Sequence, residues 1–232
     1  MQKYTTIFFD LDRTLWDFDS NAEEALREIF ASFKLKSKIS SASDFLRVYE
    51  KHNERLWMAY RQGKIKKSLL RTKRFDLSLK DFGIHNEVLA ARMGEEYLRI
   101  SPLKTTLIPG TIEVLQFLHQ HYHLYVITNG FNEVQYLKME RCGLNRFFKD
   151  IFTSENLGYQ KPHAAIFQKA LLLANEKPAA ALMIGDDVEA DILGALKAGI
   201  DQVYFNPLKK VNKVKATYEI NHLQELIGIL SF

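Results

Sequence analysis

The chain has little cysteine, little proline and no long apolar run, and each shortage excludes a class of protein. Among 232 residues there are one cysteine, 5 prolines and 11 glycines, which excludes a disulfide scaffold and a collagen-like repeat. Cys142 has no cysteine partner within the chain, so we expect a reducing, cytoplasmic setting. No apolar run is long enough to cross a bilayer. Ile7–Phe9 runs directly into Asp10, which argues against a secretory signal.

What the chain does contain is the composition of an ordinary globular protein. Hydrophobic residues make up 47% and charged residues 26% of the sequence, so a sizeable apolar core can form and disorder is excluded. A length of 232 residues corresponds to one large domain or two small ones. The net charge of +4 suits an anionic substrate and a weak contact with nucleic acid equally well, so charge alone does not select a function.

Short apolar runs bounded by turn residues predict a buried parallel sheet. The predicted strands are Tyr4–Phe9, Leu124–Ile127, Ile151–Thr153, Ala181–Ile184 and Gln202–Phe205. Amphipathic helices are predicted at Thr111–His121, Asn132–Cys142, Val188–Ala198 and His222–Leu230. Gly143 and Gly199 follow two of these helices, where a left-handed residue commonly ends a helix. We expect the last helix to cover the sheet edge. Strands that alternate with helices predict an α/β fold with a doubly wound, Rossmann-like parallel sheet.

The stretch from about residue 18 to residue 103 breaks this alternation, because it has a helical pattern and no strand-like run. It opens on a capping box, in which Ser20 is followed three residues later by Glu23. The candidate helices are Ala22–Phe33, Ser43–Arg61, Ser68–Phe82 and Asn86–Ile100. We therefore expect a helical cap domain at 18–103, inserted into an α/β core domain made of residues 1–17 and 104–232.

Polar residues follow three of the predicted strands, at the sheet edge where open α/β proteins bind ligands. These segments are Asp10-Leu11-Asp12, Thr128-Asn129-Gly130 and Gly185-Asp186-Asp187. Two carboxylates about 4 Å apart repel by roughly 4 kcal/mol at an effective dielectric constant of 20. A cluster of Asp10, Asp12 and Asp186 therefore calls for protonation or a bound cation. Oxygen ligands beside a phosphorylated substrate suit Mg²⁺.

The same edge offers groups that can hold phosphate oxygens. The hydroxyl of Thr128 and the amides near Asn129 and Gly130 are suitable donors. Lys161 is the best candidate for a lysine partner, because Lys161 and Pro162 stand at the start of the next predicted helix, and proline favours the first helical position.

Four segments, in order along the chain, resemble the four motifs of the haloacid-dehalogenase-like hydrolases. They are DLDRTL at Asp10–Leu15, ITNG at Ile127–Gly130, Lys161-Pro162, and GDDVEAD at Gly185–Asp191. The helical insert between the first two motifs is similar to the first cap class of this family. The sequence resembles one branch of the family in particular, the noncanonical pyrimidine 5′-nucleotidases of bacteria. The segments that carry this resemblance are Glu54–Ile65, Ile127–Phe131, Gly158–Pro162 and Ala190–Ala195.

This resemblance implies which residues react. Asp10 is implied as the nucleophile that forms an aspartyl phosphate. Asp12 is implied as the acid that protonates the leaving alcohol and then as the base that deprotonates water. The resemblance also implies a Mg²⁺ ion held by the side chain of Asp10, the backbone carbonyl of Asp12 and the carboxylate of Asp186.

The remaining motif residues are implied to support this centre. Thr128, Asn129 and Gly130 would bind the substrate phosphate, and Lys161 would stabilise the phosphoryl oxygens. Asp187 or Asp191 would act indirectly, by holding either a Mg²⁺-bound water or Lys161 in position.

Several residues also have an ordinary structural interpretation. Asp187 suits the N-cap of the helix that begins at Val188 as well as it suits catalysis. Cys142, beside a helix-ending glycine, is expected to be a small packing residue. Arg13 stands where many members of the family have glycine, and we expect it to affect the edge of the pocket and not the chemistry.

Two features of the cap leave alternatives open. Seven basic residues with no acid among them form either a solvated helix face, which we favour, or an attractive field for a dianionic ester: Arg61, Lys64, Lys66, Lys67, Arg71, Lys73 and Arg74. Trp57 and Tyr60 are either core residues at helical spacing or a stacking platform for a base.

The first functional expectation is a Mg²⁺-dependent phosphatase of a small phosphorylated metabolite, with nucleoside 5′-monophosphates leading. The alternative is a sugar-phosphate phosphatase or a phosphomutase on the same scaffold. A dehalogenase is disfavoured, because haloacid dehalogenases lack an equivalent of Asp12 and the metal. A receiver module also combines aspartates, a threonine and a lysine, but receivers are shorter and lack the helical insert. We expect no nucleic-acid or membrane partner, and a monomer or weak homo-oligomer.

Overall fold

A single parallel sheet organises the computed structural model, which describes residues 3–231. Its strands are β1 (Thr6–Phe9), β2 (His123–Thr128), β3 (Asp150–Thr153), β4 (Ala181–Gly185), β5 (Asp201–Phe205) and β6 (Tyr218–Ile220). They lie in the order β3-β2-β1-β4-β5-β6, and each neighbouring pair is parallel. The prediction of a Rossmann-like parallel sheet is therefore confirmed.

Helices follow the strands and also fill the long insert. They are α1 (Phe18–Ser32), α2 (Ala42–Arg61), α3 (Lys67–Lys80), α4 (Glu87–Ile100), α5 (Thr111–Leu118), α6 (Asn132–Arg141), α7 (Ser154–Leu157), α8 (Ala164–Leu173), α9 (Gly194–Lys197) and α10 (Glu225–Leu230). A π-helical segment, Val188–Leu193, leads directly into α9. Within residues 3–231, no helix has the length and apolar character that a membrane crossing requires.

The sheet is covered on both faces, as its alternating side chains require. Ile7 and Phe9 of β1 belong to a buried cluster that also contains residues of α5, α6 and α10. Phe8, between them, belongs to a second cluster with residues of α8 and α9. Successive side chains of a strand point to opposite faces, so this division follows from the sequence period of two.

The chain divides into two compact units, and each has its own core. One unit contains the residues up to Phe18 and those from Thr105 onward, and the other spans Asp19–Lys104. The second unit is entirely helical, and its buried cluster is rich in aromatic side chains, among them Phe45, Tyr49 and Phe75.

Two expectations about the helical unit need correction. Arg74 is buried, its Nη1 donates to Asn53 Oδ1 over 3.1 Å, and its guanidinium lies 4.7 Å from the ring centre of Tyr97. The solvated-face interpretation is therefore wrong for this member of the basic run. The interpretation of Trp57 and Tyr60 as core residues is also wrong. Both side chains are half-buried and lie outside the buried core of the unit, where their rings meet edge to face with centres 5.7 Å apart.

The structure contradicts two predictions about helix starts and confirms a third. The helix α1 begins at Phe18, so Ser20 lies inside its first turn and the predicted capping box is wrong. Pro162 is not at a first helical position, since α8 begins at Ala164 with His163 as its N-cap. The N-cap interpretation of Asp187 is confirmed: its Oδ1 accepts from the amides of Glu189 and Ala190, both over 2.9 Å.

The far edge of the sheet also differs from expectation. The outermost strand, beyond β5, is β6, which the sequence did not predict. It has only three residues, and the central one is the charged Glu219, so no apolar run marks it. The predicted last helix is α10, which is shorter than expected and packs against α5. The hydroxyl of Tyr122, which follows α5 in the chain, donates to the carbonyl of Leu230 over 2.7 Å. The edge is thus formed by a strand and not by that helix.

The turn after β1 holds Arg13 in a left-handed conformation, with φ of 66°. The turn is closed by two hydrogen bonds of 2.9 Å, from the amide of Arg13 to the carbonyl of Trp16 and from the amide of Trp16 to the carbonyl of Leu11. The guanidinium of Arg13 lies 4.4 Å from the ring centre of Phe18. The turn therefore keeps a backbone conformation that glycine adopts more readily than arginine.

This strain predicts an unusual order of stability at position 13. Arg13→Gly and Arg13→Ala both lose the contact with Phe18, but only glycine relieves the left-handed backbone, whose cost is about 1–2 kcal/mol for other residues. We expect the glycine variant to be more stable than the alanine variant by about 1 kcal/mol in urea unfolding. Arg92 of α4, whose guanidinium lies 5.7 Å from the ring centre of Phe33, is the matched control. At that helical position alanine should be the more stable. The same order at both positions would contradict the role of the left-handed turn.

Candidate active site

The strand order brings three chain segments together at one end of the sheet. Phe9 of β1 pairs with Val126 of β2 on one side and with Ile184 of β4 on the other. The amide of Asp10, the next residue, donates to the carbonyl of Ile184 over 2.9 Å. The chain winds outward from β1 in both directions, so a crevice is expected at the carboxyl ends of β1 and β4.

Three carboxylates meet in this crevice. One oxygen from each of Asp10, Asp186 and Asp191 lies within 4.8 Å of the others. Burial, with the neighbouring carboxylates, raises the pKa of Asp10 well above its ordinary value and that of Asp186 to about 7. Burial also raises the pKa of Asp191. The cluster therefore differs from the predicted one, because the side chain of Asp191 takes the place expected for Asp12.

Lys161 is the cation that holds this cluster together. Its Nζ donates to Asp10 Oδ1 and to Asp191 Oδ1, each over 2.6 Å, and to the carbonyl of Ile127 over 2.8 Å. Burial lowers the pKa of Lys161, but the two carboxylates outweigh that effect and leave this pKa above its ordinary value. Lys161 thus bonds the two buried carboxylates, and the half-buried carboxylate of Asp186 completes the cluster.

The residues after β2 support the lysine and the end of the strand. The side chain of Asn129 donates to the carbonyl of Lys161 over 2.9 Å and accepts from its amide over 2.8 Å. Asn129 therefore fixes the main chain of Lys161, a task that the sequence did not indicate. The hydroxyl oxygen of Thr128 accepts from the amide of Gly130 over 3.0 Å and from the side chain of Gln135 over 3.1 Å.

Two glycines allow the closest approaches in the site. A Cβ at Gly130 would lie 1.6 Å from Nε2 of Gln135, and a Cβ at Gly185 would lie 2.3 Å from Oδ2 of Asp191. Neither position can carry a side chain without displacing its neighbour. These two motif glycines are thus explained by space and not by a special backbone conformation.

The carboxylate of Asp12 lies against α6. Its Oδ1 accepts from Lys138 Nζ over 2.5 Å, and its Oδ2 accepts from Gln135 Nε2 over 2.8 Å. Burial lowers the pKa of Lys138, although Asp12 opposes that shift. Sequence reasoning missed both donors. The available signal was weak: two polar residues three apart, on a helix that directly follows a motif.

Asp187 takes a supporting place, as do two residues that were not predicted as part of the site, Thr14 and Cys142. The hydroxyl of Thr14 donates to Asp186 Oδ1 over 3.3 Å, and the amide of Asp187 donates to Asp191 Oδ2 over 3.1 Å. Cys142 is half-buried and packs against the cluster on the α5 and α6 face of the sheet, where burial raises the pKa of its thiol. It lies at the end of α6 as a packing residue, in agreement with expectation.

The donor set fits a divalent cation. Asp10 and Asp186 offer carboxylate oxygens within 4.8 Å of each other, and burial holds the pKa of both above the ordinary range. Such crowding of buried carboxylates is relieved by positive charge, and an all-oxygen set suits Mg²⁺ better than softer metals.

Together, the fold and the site define an α/β enzyme with a helical insert and an acidic, lysine-bridged centre at the carboxyl end of β1. The profile of the haloacid dehalogenase-like hydrolases matches residues 4–199, and the chain belongs to this family. The resemblance of the four motifs is thereby confirmed, as is the prediction that the chain is a hydrolytic enzyme.

Three relatives match the chain over nearly its whole length. The HAD-hydrolase YfnB of Bacillus subtilis is 36% identical over 100% of this chain and 97% of its own. Its magnesium-bound crystal structure covers 100% of both chains, with a TM-score of 0.91 and 34% identity. The pyrimidine 5′-nucleotidase YjjG of Escherichia coli is 31% identical over 98% of each chain. The glyceraldehyde 3-phosphate phosphatase of Pyrococcus furiosus is 30% identical over 99% of this chain and 94% of its own.

The crowded carboxylates predict that the site destabilises the metal-free fold at neutral pH. The pKa of Asp186 is raised to about 7, so the folded state holds this proton more tightly than the unfolded chain does. The penalty is absent at low pH, where both states are protonated, and it grows as pH rises from about 4 to 7. In EDTA, Asp186→Asn should raise the free energy of unfolding at pH 8 by about 2 kcal/mol, and this gain should shrink toward pH 4.

Asp201 provides a control of opposite sign. Partial burial raises its pKa, but hydrogen bonds from Lys3 and Tyr4 outweigh that effect and hold the pKa of Asp201 below its ordinary value. Asp201→Asn should therefore destabilise the protein at pH 8, and less so near pH 4. Urea unfolding at a series of pH values measures both variants. Equal pH dependence of the two would refute the assignment of strain to the site.

Proposed function

We propose that this chain is a Mg²⁺-dependent phosphomonoester hydrolase that acts through an aspartyl-phosphate intermediate. The observation that carries the proposal is Asp10 at the carboxyl end of β1, with its Oδ1 2.6 Å from Lys161 Nζ and with oxygens of Asp186 and Asp191 within 4.8 Å. Membership of a hydrolase family with phosphatase relatives supports it.

In the proposed reaction Asp10 attacks the phosphorus atom. A bond forms between its carboxylate oxygen and phosphorus as the ester P–O bond breaks in line, and the leaving alkoxide takes a proton from Asp12. Water then attacks the aspartyl phosphate and gives its proton to Asp12, while the bond to Asp10 breaks. Inorganic phosphate leaves, and both aspartates return to their starting states.

The surrounding residues would bind and orient the phosphate. Asp10, the backbone carbonyl of Asp12 and Asp186 would hold Mg²⁺, which when bound supplies positive charge beside the phosphoryl group. Lys161 and the Thr128 hydroxyl would stabilise the phosphoryl oxygens, since positioning and electrostatics carry most of the catalysis in this reaction class.

The supporting roles of the neighbouring residues follow from their contacts. The side chain of Asn129 holds the main chain of Lys161, so a backbone amide near Asn129 and Gly130, and not the side chain of Asn129, would donate to the phosphate. Asp191 would orient Lys161, to which it is bonded over 2.6 Å. Asp187 caps the π-helical segment that carries Asp191.

The leading substrates are nucleoside 5′-monophosphates, above all the pyrimidine ones. This choice is supported by the near full-length match to a pyrimidine 5′-nucleotidase. A sugar phosphate is the second candidate, because a glyceraldehyde 3-phosphate phosphatase matches over a similar span.

Release of inorganic phosphate tests the proposal. The panel contains dUMP, UMP, dTMP, purine 5′-monophosphates, sugar phosphates and an aryl phosphate, each with Mg²⁺ and with EDTA. We expect release with Mg²⁺ only, and its loss in Asp10→Asn, because the amide of asparagine cannot act as the nucleophile that forms the acyl phosphate. Asp150→Asn is the matched control, since Asp150 begins β3 and is exposed.

The possible outcomes separate the candidate functions. Preference for pyrimidine nucleotides supports the first substrate class, and preference for sugar phosphates supports the second. Full activity in EDTA or in Asp10→Asn would refute the mechanism. Isomerisation of a sugar phosphate without phosphate release would instead identify a phosphomutase.

A further inference from the structure

We propose that Gln135 and Lys138 of α6 are positioning residues that hold the Asp12 carboxylate in place for proton transfer. This inference rests on the proposed function, in which Asp12 exchanges a proton with the leaving alcohol and with water. Neither residue belongs to the four motifs, and neither contacts Asp10 through a hydrogen bond in residues 3–231.

The first observation is that each oxygen of Asp12 has its own donor. Lys138 Nζ lies 2.5 Å from Oδ1, and Gln135 Nε2 lies 2.8 Å from Oδ2. The two donors are three residues apart on α6, so they share one face of that helix. Two donors on two oxygens fix both the place and the plane of a carboxylate, which one donor cannot do.

The second observation is the burial of Lys138. Its side chain is 3% exposed, and its Nζ lies 3.7 Å from the ring centre of Trp16. An ammonium ion in such a place is costly unless it is paired. In the part of the chain that the structure describes, Asp12 is the carboxylate that pairs with it. The backbone of Trp16 closes the turn that carries Asp12, so a lysine packed on the Trp16 ring lies against that turn.

The third observation concerns Gln135, which is 1% exposed. Its Nε2 donates to Thr128 as well as to Asp12, and so links the proton-transfer group to the proposed phosphate-binding group. Its Oε1 is buried with no hydrogen-bond partner in residues 3–231, which is a cost that an apolar side chain would avoid. The absence of a side chain at Gly130 makes room for this amide. These features favour a role in the site over a role in stability.

The geometry leaves room for the proton itself. Each carboxylate oxygen has two lone pairs, and Gln135 and Lys138 occupy one on each oxygen. A remaining lone pair can carry the proton that passes to the alkoxide, and it can later receive the proton of the attacking water. A carboxylate that is held in place can lie at hydrogen-bond distance from the leaving alkoxide oxygen and later from the water oxygen. A misalignment of about 1 Å can lower the rate roughly 100-fold.

A purely structural role for Lys138 is the competing explanation, and leaving-group dependence distinguishes the two. Benzyl phosphate and 4-nitrophenyl phosphate are similar in size, but only the benzyl alkoxide needs a proton in order to leave. If Gln135 and Lys138 act through Asp12, their loss will slow benzyl phosphate selectively. A general disturbance of the site will slow both esters alike.

The experiment compares kcat/KM for the two esters in Lys138→Met and Gln135→Met, with Mg²⁺ present. We expect kcat/KM for benzyl phosphate to fall by about 10- to 100-fold and that for 4-nitrophenyl phosphate by less than about 5-fold. Lys169→Met is the matched control, because Lys169 bonds the carbonyl of Leu157 outside the site. Its ratio of the two kcat/KM values should equal that of the parent.

A double-mutant cycle with Asp12→Asn completes the test. Because Lys138 acts through Asp12, Lys138→Met should change benzyl phosphate turnover by less than about 2-fold once Asp12 is replaced. Equal losses on both esters, or full additivity with Asp12→Asn, would overturn the proposal. Urea unfolding shows whether each variant is folded. If Lys138→Met does not fold, the ratio of the two kcat/KM values in Gln135→Met decides the test.

Failure of this inference is distinguishable from failure of the proposed function. If the parent protein releases no phosphate from either ester, or if Asp10→Asn remains active, the proposed function is refuted and the inference falls with it. If the parent is active, Asp10→Asn is inactive and the ester ratio is unchanged in both α6 variants, only the role of Gln135 and Lys138 is refuted.

Discussion

The ion pairs of Lys161 are the interaction on which the rest of the site depends. A single buried ammonium, in the loop before α8, bonds Asp10 and Asp191 over 2.6 Å and so joins the end of β1 to the π-helical segment that follows β4. Without it, the buried carboxylates of Asp10 and Asp191 would repel each other and would lose the ammonium that bonds both of them. Asn129 fixes the backbone of this lysine, so the second motif acts partly by holding the third. The motifs therefore work as one electrostatic unit and not as separate contributions.

A second constraint is space. The site brings Gln135 and Asp191 so close to the main chain that only glycine fits at positions 130 and 185. At Arg13, by contrast, the left-handed turn that glycine usually provides is kept by a residue that resists it, with φ of 66°. Glycine is thus retained where atoms would collide, and it is replaced where only conformational strain of about 1–2 kcal/mol is at stake.

The sequence predicted the sheet and the strand-end residues because both signals are local. An apolar run that ends in Asp10 or Asp186 carries its own position in the fold. The donors to Asp12 could not be predicted in this way, because Gln135 and Lys138 look like the polar positions of any amphipathic helix. Their burial depends on the pairing of α6 with the turn after β1, more than 120 residues away. Arg74 was missed for the same reason, since its aromatic surroundings are assembled from three helices.

The two lysines of the core show how one fold separates two carboxylates that are two residues apart. Lys161 bonds Asp10 within the acidic cluster, while Lys138 of α6 bonds Asp12. Each aspartate therefore has its own cation, and the two negative charges are not forced to share one. Separate partners allow separate roles, because a nucleophile must stay ionised beside phosphorus while an acid must be free to exchange its proton. In the proposed reaction, the division of labour between Asp10 and Asp12 would therefore rest on two cations from different places in the fold, Lys161 of the loop before α8 and Lys138 of α6.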